Sequence, residues 1–201
     1  MRKTSVLGVV VLALALVSIA AAKQNNWNQN MPTGKAFINK AAEINLGEIA
    51  LGRLAVEKSN DPAIRDFGNR MVQDHTQAEG ELQTLAKKEG VTLPTKPGPA
   101  VSSLEQQLSS SSEQQFNKLY MDHMLSGHKG AIDTFENEIE HGNSPAIKDY
   151  AETVLPVIQD HVRIAEDVAG TMGMSGKQGL NQENKAIVSA ALNKTHGSGP
   201  A

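Results

Sequence analysis

The sequence predicts an all-α fold: a four-helix bundle made of two helical hairpins joined by a long crossover connection. Three observations carry this reading. Four stretches each hold one apolar stripe at alternating three- and four-residue spacing, which keeps side chains on a single helix face. Proline and glycine punctuate the ends of those stretches, at Pro62, Gly90, Gly142 and Pro145. No segment shows the sustained alternation, rich in β-branched and aromatic residues, expected of strands. The 201 residues are 39% hydrophobic but only 3% aromatic, so the expected core is aliphatic and Ala-rich.

The elements follow in chain order. Arg2 and Lys3, the apolar run Leu7 to Ala22 and the small residues Ala20-Ala21-Ala22 read as a secretory signal peptide over 1–22. The run is short for a membrane span. Cleavage is expected after Ala22, with Ala20 as second choice. The Asn-rich segment 23–33, with Trp27, reads as a flexible leader. The first long helix is expected from Gly34 to Lys58. The second covers Pro62 to Glu89, with Asp61 as N-cap, Pro62 at the first helical position and Gly90 as a left-handed stop. The third spans Glu113 to His141 and ends at Gly142. The fourth runs from Pro145 to Ala169 behind Ser144, with Pro156 inside it as an expected bend.

Asn60-Asp61-Pro62-Ala63-Ile64 and Asn143-Ser144-Pro145-Ala146-Ile147 open two similar hairpin turns, a weak internal duplication. Between the hairpins, residues 91–112 are long enough to cross the length of a bundle, with a short helix expected around Leu104 and Leu108. The bundle domain is placed at 34–170. The Gly/Ser-rich segment 171–201 reads as a flexible C-terminal tail, with a short helix at Ala186 to Leu192.

Charge and cysteine usage narrow the partners. Without Arg2 and Lys3 the formal net charge falls from −3 to −5, and the chain has no Lys/Arg cluster, so nucleic acid is not expected as a partner. There is no cysteine, which removes disulfides and a lipid anchor on Cys. No second apolar run approaches membrane length, so the mature chain is expected without a transmembrane span. The expected location is outside the cytoplasm: periplasm, envelope or secreted. Self-association and envelope contact both stay open.

The stripes also carry the candidate site. They read Phe37, Ala41, Ile44, Glu48, Leu51, Ala55; then Ile64, Phe67, Met71, His75, Ala78, Leu82, Leu85; then Met121, Leu125, His128, Ile132, Phe135, Ile139; and last Ile147, Tyr150, Val154, Val157, His161, Ile164, Val168. Each is interrupted near its middle by one polar side chain: Glu48, His75, His128 or His161. Four such groups at one depth of a core are disfavoured by burial alone. Three imidazoles and a carboxylate suit a transition metal ion such as Zn, Cu or Fe. A metal-free, mutually hydrogen-bonded polar layer is the alternative. Glu79, one turn after His75, offers a second carboxylate. Asp74 and Asp160 precede their histidines by one position, about 100° round the helix, and are expected to face outward. His123, His141 and His196 lie off the stripes and read as exposed. Met71, Met121 and Met124 read as core filler.

The run Gly47-Glu48-Ile49-Ala50-Leu51-Gly52-Arg53-Leu54-Ala55, then Phe67-Gly68-Asn69-Arg70-Met71-Val72-Gln73-Asp74-His75, then Leu85 to Pro94, resembles a bacterial exported family of unknown function. The family is domain of unknown function 4142, whose members are often labelled predicted outer membrane proteins. Tyr120-Met121, His128, Leu155-Pro156 and His161 continue the resemblance through the second half. It implies a ferritin-like four-helix bundle behind a signal peptide, and no established activity. The chain departs from the di-iron pattern, which needs Glu-x-x-His on two helices. Val72 and Ile158 stand three residues before His75 and His161. No catalytic residue is therefore assigned, and no nucleophile motif is present. An exported metal-binding bundle is the first functional reading. A non-catalytic structural or stress-related helper is the alternative, and a metal-dependent redox enzyme ranks last.

Overall fold

Proline, glycine and short polar caps set the helix ends. The computed structural model describes residues 32–174. The expected signal peptide, most of the expected leader with Trp27, the helix expected at Ala186 to Leu192 and His196 lie outside the described residues. Within them are α1 (Lys35–Lys58), α2 (Pro62–Glu89), α3 (Pro99–Ser110), α4 (Glu113–His141) and α5 (Pro145–Thr171). All regular structure among the described residues is helical. The four long helices fall within two residues of the expected limits, and α3 is the short helix expected around Leu104 and Leu108.

The ends have local causes. Asp61 Oδ1 accepts from the Ala63 and Ile64 amides at 2.9 and 3.4 Å, an N-cap worth about 1 kcal/mol. Gly90 closes α2 in the left-handed region at φ 65°, where a side chain would be strained. Ser112 and Gln115 form a capping box at the start of α4. Ser144 stands at the N-cap of α5, but its hydroxyl donates to Glu89 Oε1 at 3.2 Å instead of capping its own helix. That bond ties the start of α5 to the end of α2. Pro156 lies inside α5 on the exposed side, and the helix continues through it.

Helix packing is closest between α1 and α2. A Cβ on Gly52 would lie 2.8 Å from the Gly68 carbonyl oxygen, and a Cβ on Gly68 equally close to that of Gly52. Only the absence of both side chains permits this approach. Elsewhere α4 packs on α5, α2 on α5 and α1 on α4, while α3 lies against α1 and α4.

The core is divided in two. One apolar cluster joins Phe37 and Ala41 of α1, Ala78 and Leu82 of α2, Ala131 and Phe135 of α4, and Tyr150, Val154 and Ile158 of α5. Phe37 meets Phe135 edge-on, with ring centres 4.9 Å apart. The second joins Leu51 and Ala55, Ile64 and Met71, Tyr120 and Met124, and Ala165 and Val168 on the same four helices, together with Leu108 of α3. On each long helix the residue between the two clusters is polar: Glu48, His75, His128 or His161. The predicted stripe breaks thus form a polar layer between two apolar halves.

The stripes themselves need adjustment. Ile44, Leu125, Ile132, Ile139, Val157 and Ile164 are only half-buried, whereas Asn45, Ala131, Ile158 and Ala165 are buried. A helix wedged between neighbours buries a face wider than 100°, so positions beside a single three-four line share it. Among the described residues, no helix is long and apolar enough to cross a membrane.

Candidate metal centre

His75, His128 and His161 converge from α2, α4 and α5. Their ring centres are 5.2 to 5.7 Å apart, and one nitrogen of each lies within 4.8 Å of those of the other two. All three side chains are buried, at 2%, 2% and 0% exposure. Glu48 approaches from α1, its Oε1 4.0 Å from His128 Nδ1. The structure therefore gathers the three histidines, while Glu48 borders them on the Nδ1 side of His128 and lies outside the set of ligand atoms within 4.8 Å of one another.

Each histidine spends one nitrogen on an acceptor. His75 Nδ1–H donates to Asn45 Oδ1 at 3.1 Å. The orientation of that amide is set by its other end, where Nδ2 donates to Glu79 Oε2 at 3.2 Å and to the Tyr150 hydroxyl at 3.5 Å. Tyr150 donates in turn to the Ala78 carbonyl at 3.3 Å. His128 Nδ1–H donates to the Met124 carbonyl, one turn back on its own helix, at 2.9 Å. His161 Nε2–H donates to Asp74 Oδ2 at 2.9 Å, and Arg70 holds the same carboxylate oxygen. Because every partner is an acceptor, each ring carries its proton on the bonded nitrogen. The opposite nitrogen, with its lone pair, is left free.

Those opposite nitrogens have no partner. His75 Nε2, His128 Nε2 and His161 Nδ1 are buried without a hydrogen bond, and so is Glu48 Oε2. An orphaned buried polar atom costs about 1–3 kcal/mol, and here three imidazole nitrogens and one carboxyl oxygen occur in one layer.

The electrostatics hold the layer neutral. Burial pushes the Glu48 carboxyl up to about 8. Burial, with the neighbouring His161, takes His128 down to about 3. His75 lies well below its ordinary value, through burial and then the other two rings. Burial lowers His161 as well, partly opposed by Asp74. At neutral pH the Glu48–His128 contact is thus between two uncharged groups, not an ion pair.

Several side chains take unexpected places. Asp74 does not simply face outward: it reaches across the α2–α5 seam to His161, while Asp160 stays half-exposed against Arg163. The angle along α2 relates Asp74 only to His75 on the same helix, whereas its partner is on the next one. Asn45 was not singled out; its place three residues before Glu48, on the same face, is the signal that marks it. Glu79 is buried but faces Asn45 and Gln83, one step behind the histidines. Its carboxyl is raised by burial, and the two amides partly offset that. His123 is half-buried rather than exposed, because α4 turns that face towards Glu48; burial takes it down to about 4. His141 is exposed, as expected.

No curated protein and no solved structure matches the chain. A family model does, over residues 19–168, a span that holds Glu48, all three converging histidines, Asn45 and Asp74. On that match, the chain belongs to the family described as Domain of unknown function (DUF4142).

Proposed function

We propose that the protein is an exported, ferritin-like four-helix bundle that binds one transition metal ion in its core, through His75, His128, His161 and Glu48. The observation that carries this reading is the set of free lone pairs. Three imidazole nitrogens lack partners, while the other nitrogen of each ring is held by a carbonyl, an amide oxygen or a carboxylate. Metal-binding histidines take this form, because the second bond fixes the tautomer and turns the lone pair towards the ion. A tetrahedral ion with bonds of about 2.0–2.1 Å sets its ligand atoms roughly 3.4 Å apart, so the triad would draw inward by about 1 Å.

The competing reading, a metal-free polar layer, has to leave those acceptors unsatisfied or fill the layer with water. Metal analysis of mature protein purified without chelator separates the two. About one Zn, Cu or Fe per chain, lost from the His128→Ala variant, is the expected outcome. A metal-free wild type that also takes up no added ion leaves the polar layer as the answer.

The bundle topology rests on the two apolar clusters. The first halves of α1 and α5 share one cluster with the second halves of α2 and α4. That grouping fits two antiparallel hairpins, α1–α2 and α4–α5, with residues 90–112 crossing from one end to the other. The bundle domain is proposed to span 34–170. Export rests on Arg2, Lys3 and the apolar run to Ala22. N-terminal sequencing of material from the envelope or medium is expected to begin at Lys23, and a start at Met1 refutes it.

A further inference from the structure

An ion bound among the three histidines has to reach them, and solvent touches them at 2% exposure or less. Of the four polar residues, Glu48 is the most accessible, its side chain 9% exposed. The gap beside it is made by a missing side chain. Gly127 precedes His128 in mid-helix, where glycine is less favourable than alanine. A Cβ built on Gly127 would lie 3.7 Å from Glu48 Oε1 and 3.8 Å from His123 Nε2. One small notch on the face of α4 is therefore bordered by a carboxylate and an imidazole. His123 is half-buried, in contact with both solvent and the notch. It lies one turn before Gly127 and so shares its helix face.

We propose that the Gly127 notch is the entry port of the metal site, with His123 as a transient first ligand and Glu48 as the ligand that takes the ion from there to the histidine triad. This rests on the metal-binding reading above. The chemistry runs in one direction. A hydrated divalent cation exchanges a water for the His123 nitrogen at the surface, then a second for Glu48, whose carboxyl gives its proton up to solvent, and sheds the rest as the three buried nitrogens close on it. Each exchange replaces a water oxygen by a protein ligand, so the ion is never bare. The opposite seam, between α2 and α5, holds a cavity of about 120 Å³ lined by Arg70, Asp74, Ala78, Val154 and Val157, but its chemistry makes it a poorer route. There Arg70 is bonded to Asp74, and Asp74 to the protonated nitrogen of His161, so a cation meets a positive charge and a nitrogen without a lone pair.

The test is rapid mixing of metal-free protein with Co²⁺ alone, followed by its d–d absorption, and release into excess chelator. Gly127→Val fills the notch, Gly127→Ala only narrows it, and His123→Ala removes the first ligand. Entry through the notch predicts that Gly127→Val slows loading and release by about the same factor, tenfold or more. The final stoichiometry stays at the wild-type level, because a port changes rates and not the end state. His123→Ala slows loading with the triad intact. If Gly127→Val does not fold, shown by its circular dichroism, Gly127→Ala and His123→Ala decide. Wild-type loading rates in all folded variants overturn the port and leave the metal site standing. A wild type that takes up no Co²⁺ overturns the metal reading and the port with it.

Discussion

Replacing His128 by alanine separates a metal centre from a polar layer by the response to chelator. In the metal-free chain the change removes a buried ring at 2% exposure and takes the side-chain donor from the Met124 carbonyl. It also removes one of the orphaned nitrogens, so the net cost is expected at about 1–3 kcal/mol. In the loaded chain a second quantity enters. An ion at a thousand times its dissociation constant stabilises the native state by about 4.1 kcal/mol. For a chain of 201 residues, at about 2–4 °C per kcal/mol, that amounts to roughly 8–16 °C in Tm. Thermal melts of wild type and variant, each with and without chelator, read both quantities. The wild type is expected to drop by that amount on chelation, while the variant moves little. A wild type whose Tm ignores chelator, and which holds no metal, refutes the reasoning.

Three further outcomes follow from the same geometry. The metal-free chain is expected to be most stable near pH 7. The histidines have folded pKa values lowered from 6.5, so the stability they contribute is present above that pH and lost below it. Glu48 is raised from 4.5 to about 8, so its contribution is lost as pH rises towards 8; between pH 6.5 and 8 this is about 2 kcal/mol at 1.36 kcal/mol per pH unit. Denaturant melts at stepped pH are expected to show that alkaline fall in the wild type and not in Glu48→Gln. Asn45→Ala leaves every proposed ligand in place but frees the His75 ring, and competition titration is expected to show metal affinity lower by about 10–100-fold; unchanged affinity removes Asn45 from the site. Gly52→Ala puts a Cβ 2.8 Å from a backbone oxygen and is expected to cost about 1–3 kcal/mol, whereas Gly80→Ala, with open space around it, is expected to gain up to about 1 kcal/mol in the same melts.

The helices and the proposed ligands were legible for one reason: both are written along a single helix. A cap, a proline at the first turn and a polar break in an apolar stripe need no knowledge of the neighbouring chain. The supporting partners were not legible, because they depend on how helices sit side by side. Asp74 was assigned outward from its angle to His75, and that angle is real, yet its partner comes from α5. Asn45 stands beside Ile44, the residue a three-four count selects, and only the packing of α1 against α2 and α5 shows which of the two is buried. His123 lies off its stripe, and its surroundings are set by a glycine one turn later.

Glu48 differs from the other three members of the layer in a way that bears on how the site would work. Each histidine is held from behind, by Asn45, by the Met124 carbonyl or by Asp74. Glu48 has no such partner: Oε2 is orphaned, and Oε1 has only the 4.0 Å contact with His128. The imidazoles are therefore fixed and Glu48 is the member free to swing, on the side where the layer is nearest to solvent. A triad of oriented rings that closes by about 1 Å, with one unrestrained carboxylate that follows the ion inward, can accept an ion from that side. Burial holds that carboxyl protonated at neutral pH, with its value at about 8, so closing it onto a cation must release the proton. Calorimetric titration with Zn²⁺ at pH 7, repeated in buffers of different ionisation enthalpy, counts it. About one proton per ion is expected for the wild type and none for Glu48→Gln. Equal release from both chains would mean that the proton comes from elsewhere and that Glu48 stays out of the coordination shell.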